Sequence, residues 1–124
     1  MAKIKTYKDL IVWQKSMKLA LLIYDIARNL PKEELYGLSM QMRKAVVSIP
    51  SNMAEGYGRR SGVEYRRFLN IAMGSLFELE TQLLLARSLG FVEDKACREA
   101  AGAIDEIERM LRALIDKLPR SLSA

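Results

Sequence analysis

Apolar residues in this chain recur at three- and four-residue intervals along four stretches. A period of 3.6 builds one-sided helices, whereas a half-buried strand needs a period of two, so the pattern confines the chain to an all-α fold. The first predicted helix spans residues 7–29. Its stripe is Leu10, Trp13, Met17, Leu21 and Tyr24, with Ala20 and Ala27 beside it. Pro31 ends it, because a proline disfavours helix in the residue before it. The second spans residues 34–56 with the stripe Leu38, Met42, Ala45, Ile49 and Met53. Pro50 lies inside it. Its ring crowds the Val46 carbonyl and it has no N–H to offer, which predicts a kink or short break near residues 48–51. The third spans residues 62–89 with Phe68, Ala72, Leu76, Leu79, Leu83 and Ala86 facing the core. Ser61 and Glu64 have the capping-box spacing, and Gly90 suits a helix C-terminus. The fourth spans residues 94–118 with Cys97, Ala101, Ile104, Ile107, Leu111, Leu114 and Leu118 as its face, and Pro119 stops it. The tail, residues 120–124, is expected to fray.

Four long helices with short connections predict an antiparallel up-down-up-down four-helix bundle occupying the whole of the 124-residue chain as a single domain. Seven glycines and three prolines are too few for the turns of an all-β alternative. Two runs, residues 19–24 and 83–86, are apolar on every side of their helices. A helix in a lone bundle keeps one wet side, so both runs predict burial against further copies: a homo-oligomer, with a dimer as the smallest version.

Histidine is absent, which removes imidazole bases, the commonest metal ligand and every triad built on imidazole. The single cysteine, Cys97, lies on an apolar face and is read as a small buried side chain of a reduced protein. The start of the sequence is polar and charged. The longest apolar run, residues 19–24, sits between Lys18 and Asp25 and is too short to span a membrane. These features place the protein in the cytoplasm, away from membranes.

Two constellations stand out. Ser48, Asn52 and Glu55 share one face of the second helix, and Ser75, Glu78 and Gln82 share one face of the third. Meeting inside the bundle, they would satisfy each other as a buried polar network that fixes register. A catalytic carboxylate pair, Glu55 with Glu78, would lack a histidine, a metal partner and a nucleophile, since di-iron bundles require Glu-x-x-His. No catalytic residue, metal site or cofactor is therefore expected, and the protein is read as a non-enzyme.

The second constellation is basic. Residues 1–70 carry a net charge of +7 and residues 71–124 carry −2. Arg59 and Arg60 precede the third helix, Arg66 and Arg67 lie near its start, and Tyr57 and Tyr65 interleave with them. Guanidinium forks suit phosphates and aromatic rings stack on bases. With Glu64 occupied in the capping box, nothing nearby neutralises these arginines and packing does not require them. They are the first choice of nucleic-acid surface, with Arg43 and Lys44 as the second. Lys3, Lys5 and Lys8 are expected to add a flexible arm.

Residues 7–15 (Tyr-Lys-Asp-Leu-Ile-Val-Trp-Gln-Lys), 48–56 (Ser-Ile-Pro-Ser-Asn-Met-Ala-Glu-Gly) and 68–81 together resemble one family. It comprises the bacterial four-helix-bundle proteins encoded in intervening sequences of large-subunit ribosomal RNA genes. The resemblance runs over residues 7–118. It implies a homopentamer, a barrel of five bundles around a channel, distantly similar to the accessory variability proteins of diversity-generating retroelements. It implies ribosomal RNA as the partner and assigns no catalytic residue. The sequence reading is thus a nucleic-acid-binding protein whose basic clusters form the rim of a ring. The alternative is a scaffold that recruits a partner protein without touching nucleic acid.

Overall fold

The computed structural model describes residues 3–121. Among them are four long helices and no strand: α1 (Ile11–Arg28), α2 (Leu38–Gly58), α3 (Gly62–Ser88) and α4 (Asp94–Asp116). A 3-10 turn at Tyr7–Asp9 takes the place of the first predicted turn of the first helix, and another at Lys32–Glu34 ends where the second was predicted to begin, four residues before α2 itself starts. Of the tail, residues 122–124 lie outside the described residues. Each helix packs on two neighbours, α1 on α2 and α4, α3 on α2 and α4, and the most extensive contact is between α2 and α3.

The core is built from Leu19 and Ile23 of α1, Met42, Ile49 and Met53 of α2, Leu69, Leu76, Leu79 and Leu83 of α3, and Ile104, Ile107 and Leu111 of α4, all fully buried. Each such side chain contributes roughly 1.5–3 kcal/mol on leaving water. The predicted stripes of α2 and α3 are the buried ones, with Leu38 only partly covered, and Cys97 is buried as expected. Gly90, at φ +77°, closes α3: the Phe91 N–H bonds the Ala86 carbonyl and the Gly90 N–H bonds that of Arg87.

Two expectations fail. The stripe predicted for α1 is not its core face. Val12, Ser16, Leu19, Ile23 and Ile26 point inward, while Met17, Leu21 and Tyr24 are exposed and Trp13 is half-buried against the Tyr7 ring. The helical period holds but its phase is turned, because residues 19–24 offer an apolar side in every direction. Of the kink or short break expected at Pro50, the break is absent: α2 is helical through residues 38–58. The amide of Asn52 donates to the Ser48 carbonyl at 2.7 Å and the Ser48 hydroxyl at 2.9 Å, adding local bonds beside the one that proline removes.

Candidate nucleic-acid interface

The basic cluster sits where α2 hands over to α3 through residues 59–61. Gly56 allows the handover: a Cβ there would stand 2.6 Å from the Phe68 Cβ, so only hydrogen lets the end of α2 lie against α3. Phe68, buried by that approach, becomes a platform. The Arg59 and Arg67 guanidiniums lie 5.0 and 4.5 Å from its ring centroid. Each is also ion-paired, Arg59 to Glu55 at 2.7 Å and Arg67 to Glu64 at 3.0 Å. The bond from Arg67 holds the Glu64 carboxyl below its ordinary range, and the same bond raises the arginine.

This corrects the expectation that the arginines lack neutralising neighbours. The capping box at Ser61 is only half made: the Ser61 hydroxyl accepts from the Glu64 N–H at 3.3 Å, while the Glu64 carboxylate turns to Arg67. The spacings Glu55-to-Arg59 (i, i+4) and Glu64-to-Arg67 (i, i+3) are the sequence signals of these pairs. A complete capping box occurs instead at Thr6 and Asp9. Asp9 also accepts from the Lys5 N–H at 2.8 Å, and these backbone bonds lower its carboxyl. The amino-terminal arm is therefore tied down from Lys5 onward, contrary to the flexible arm expected.

Arg66 does not belong to the surface cluster. Its Nη1 donates to the Ile115 and Leu118 carbonyls, the latter at 3.0 Å, and so caps the last turn of α4. Packing does require this arginine. Arg60 is the opposite case. It is exposed, makes no side-chain bond among the described residues, and has φ +56°. It occupies the position after the C-cap of α2, where glycine is the usual residue because a Cβ costs roughly 1 kcal/mol in this conformation.

Arg43 and Lys44 are not brought to this cluster. They lie about 24 Å away along α2, sixteen residues at 1.5 Å each. Arg43 donates to the Ser39 and Leu35 carbonyls at 3.3 Å, fixing the start of α2, while Lys44 is exposed and makes no ion pair among the described residues.

The polar network is smaller than predicted. The Ser48 and Ser75 hydroxyls meet at 2.7 Å across α2 and α3, with Asn52 bonded to Ser48. Glu55 is outside it, on the surface with Arg59, and Glu78 is exposed without a side-chain partner among the described residues. Both glutamates are solvated where they stand, which spares the bundle the cost of burying their charge. Gln82 does not join either, its Oε1 being buried with no hydrogen bond. The group holds two helices in register, and the separated placement of the two glutamates gives no paired-carboxylate chemistry.

No helix of the described residues is long and apolar enough to cross a membrane. A family model described as 23S rRNA-intervening sequence protein matches residues 8–113. A solved structure from Bacteroides thetaiotaomicron VPI-5482, described as a protein with unknown function from the S23 ribosomal protein family, superposes with a TM-score of 0.79. It covers 86% of this chain and 96% of its own length at 24% identity, and at that distance the likeness speaks to the fold alone. No curated protein matches the chain.

Proposed function

The chain belongs to the 23S rRNA-intervening sequence protein family, and from that premise we propose that it is a cytoplasmic, non-enzymatic protein that binds ribosomal RNA through the loop joining α2 to α3. The observation that carries this reading is Arg60. A non-glycine residue in a left-handed conformation, where glycine costs less, points to a use for its side chain. That side chain is a free guanidinium at a loop tip, flanked by Arg59 and Arg67, whose positions are fixed on Phe68. Arg59 and Arg67 are held by Glu55 and Glu64 in exposed pairs of the kind a phosphate can displace, so the tip offers one free and two exchangeable cations to successive phosphates.

The same reading has the bundle running up-down-up-down. Residues early in one helix meet residues late in the next: Ser16 meets Met53, and Arg66 meets Ile115. It also has the chain acting as a homopentamer, in which one loop per copy makes a basic rim. The exposed apolar stretches of α1 and α3 support assembly, and the family resemblance supplies the number five.

The test is Arg60→Gly. Stability should be unchanged or rise by up to about 1 kcal/mol, because the strained residue is replaced by one that tolerates its φ. RNA affinity should fall. In a salt titration, Arg59→Gln, Arg60→Gln and Arg67→Gln combined should flatten the dependence of log K on log salt by about 2 per chain, at roughly 0.7 for each phosphate of a single strand that is no longer held. A parent protein that fails to bind RNA at low salt, or a triple variant that binds as well as the parent, overturns the assignment.

A further inference from the structure

Among the described residues, α1 carries a regular apolar stripe that the bundle leaves in water. Met17, Leu21 and Tyr24 follow each other at i, i+4 and i+7, and Leu21 is 74% exposed. Beside this stripe, three clefts adjoin along the outer side of α2, bordered by α1 and the segment that joins the two helices. The first, roughly 510 Å³, shares Tyr24 and Arg43 with the second, roughly 670 Å³, which shares Val47 and Ser51 with the third, roughly 360 Å³. None of the residues lining these clefts is acidic, and Arg28, Lys32, Arg43 and Lys44 are among them. By contrast, the cleft between α1 and α4 balances Lys15 and Lys18 with Glu99 and Glu106. The groove along the outer side of α2 is therefore long, mostly apolar and cationic.

The same molecule carries its complement. From Phe68 to Ala86, α3 has no lysine or arginine and two glutamates. Its outward side presents Ile71, Phe77, Leu84 and Leu85, all at least 40% exposed. Glu78 lies on the same side and has no ion pair among the described residues. At Gly74, in the middle of this ridge, an added Cβ would meet open space, so the ridge is flat there. Ile71 to Leu85 spans about 21 Å, against about 22 Å for Trp13 to Arg28 of α1 at the same rise. Length, apolar character and charge all match.

We propose that the groove along the outer side of α2 receives the outward ridge of α3 from a second copy of this chain, with Glu78 of the ridge set against the Arg43 and Lys44 end of the groove. The inference rests on the oligomer reading above and adds the two surfaces that make the contact. Different surfaces on the two sides make the contact heterologous, so each copy both gives a ridge and takes one, and the rotation between copies sets whether the series closes as a ring. Opposite charge selects this pairing over groove with groove, where cations would meet cations. It also assigns Arg43 and Lys44 to assembly instead of RNA.

The test uses two variants and their mixture, followed by light scattering. Leu21→Glu puts a carboxylate into the apolar stripe that borders the groove, where an apolar ridge carrying Glu78 would have to settle. Leu85→Lys spoils the ridge by bringing a cation to a groove that is itself cationic. Both residues are exposed in the lone chain, so circular dichroism of each variant should match the parent. The parent is expected at a multiple of 14.1 kDa and each variant at the single-chain mass. Mixed one to one, the two variants should form a two-chain species and nothing larger, since the mixture restores one intact ridge and one intact groove. A mixture that stays at the single-chain mass overturns the pairing. A parent that is oligomeric while either variant assembles fully overturns the surfaces and leaves the oligomer reading standing. A parent at the single-chain mass, the result expected if the groove instead takes a helix of another protein, overturns both.

Discussion

Replacing Arg66 with methionine should destabilise the protein without touching the RNA surface. The perturbation is local. Methionine keeps much of the aliphatic stem and removes the guanidinium that bonds the Ile115 and Leu118 carbonyls. The last turn of α4 has no basic residue of its own, and Arg66, 49 residues or more away in sequence, brings a cation into hydrogen-bond contact with the negative end of that helix, beside the C-cap Lys117. Hydrogen bonds to charged groups contribute about 1.5–3 kcal/mol each. Here both come from one nitrogen, and water can reach the vacated helix end, so the pair together is worth about 2–3 kcal/mol. A 124-residue chain unfolds with an entropy of about 260 cal/mol/K, which converts each kcal/mol into about 4 °C. The expected fall in Tm is therefore about 8–12 °C. Thermal melts followed by circular dichroism measure it, at one fixed protein concentration because assembly would otherwise shift the midpoint. Urea melts should show a lower midpoint with an unchanged slope. A variant melting within about 2 °C of the parent would refute the capping argument. So would one that keeps its Tm and loses RNA binding, since that would return Arg66 to the surface cluster.

Three further outcomes are expected. Gly56→Ala should cost at least about 2 kcal/mol in a urea melt, because its methyl would enter the space of the Phe68 Cβ and push α2 off α3. Ser75→Ala should cost about 1 kcal/mol, since Ser48 keeps Asn52 as a partner and so is not orphaned. Tyr65→Phe should leave Tm unchanged or higher, because the buried hydroxyl it removes has no hydrogen bond. Burial, and secondarily the neighbouring Tyr57, push the Tyr65 phenol up to about 12. The neutral form is favoured by the fold, so the parent should lose stability as pH rises from about 10 towards 12 and the Phe variant should lose less, as alkaline melts would show.

How much of this was legible in the sequence varies by helix. The stripes of α2 and α3 could be read because each helix has a single dry side. That of α1 could not, since residues 10–24 contain two interleaved apolar stripes and period alone does not say which faces the bundle. Of the stripe it favoured, Leu10 and Trp13 pack partly against the core, while Met17, Leu21 and Tyr24 are left in water. The fate of the arginines divides in the same way. Pairs three or four residues apart, Glu55 with Arg59 and Glu64 with Arg67, follow from helical spacing. The capping of α4 by Arg66 does not, because its partners are backbone carbonyls 49 and 52 residues on, which have no sequence signature. The Ser48–Ser75 contact was legible as two small polar faces that had to meet. The exclusion of Glu55 and Glu78 was not, since a glutamate at the border of a stripe turns outward whenever solvent is within reach of its side chain.

The tight joint between α2 and α3 also has a kinetic meaning. These two helices share the largest contact in the bundle and are connected by three residues, so the entropy of closing the loop between them is small. A helical hairpin of this kind forms ahead of contacts that must span the chain. The expected order has α2 and α3 docking first around Ile49, Met53, Leu69 and Leu76, with α1 and α4 adding to the preformed pair. Core truncations in that pair should slow refolding, while truncations at Ile23 or Ile107 should mainly speed unfolding. On this order the Ser48–Ser75 contact acts early, selecting the alignment of the first pair before the remaining helices arrive to lock it.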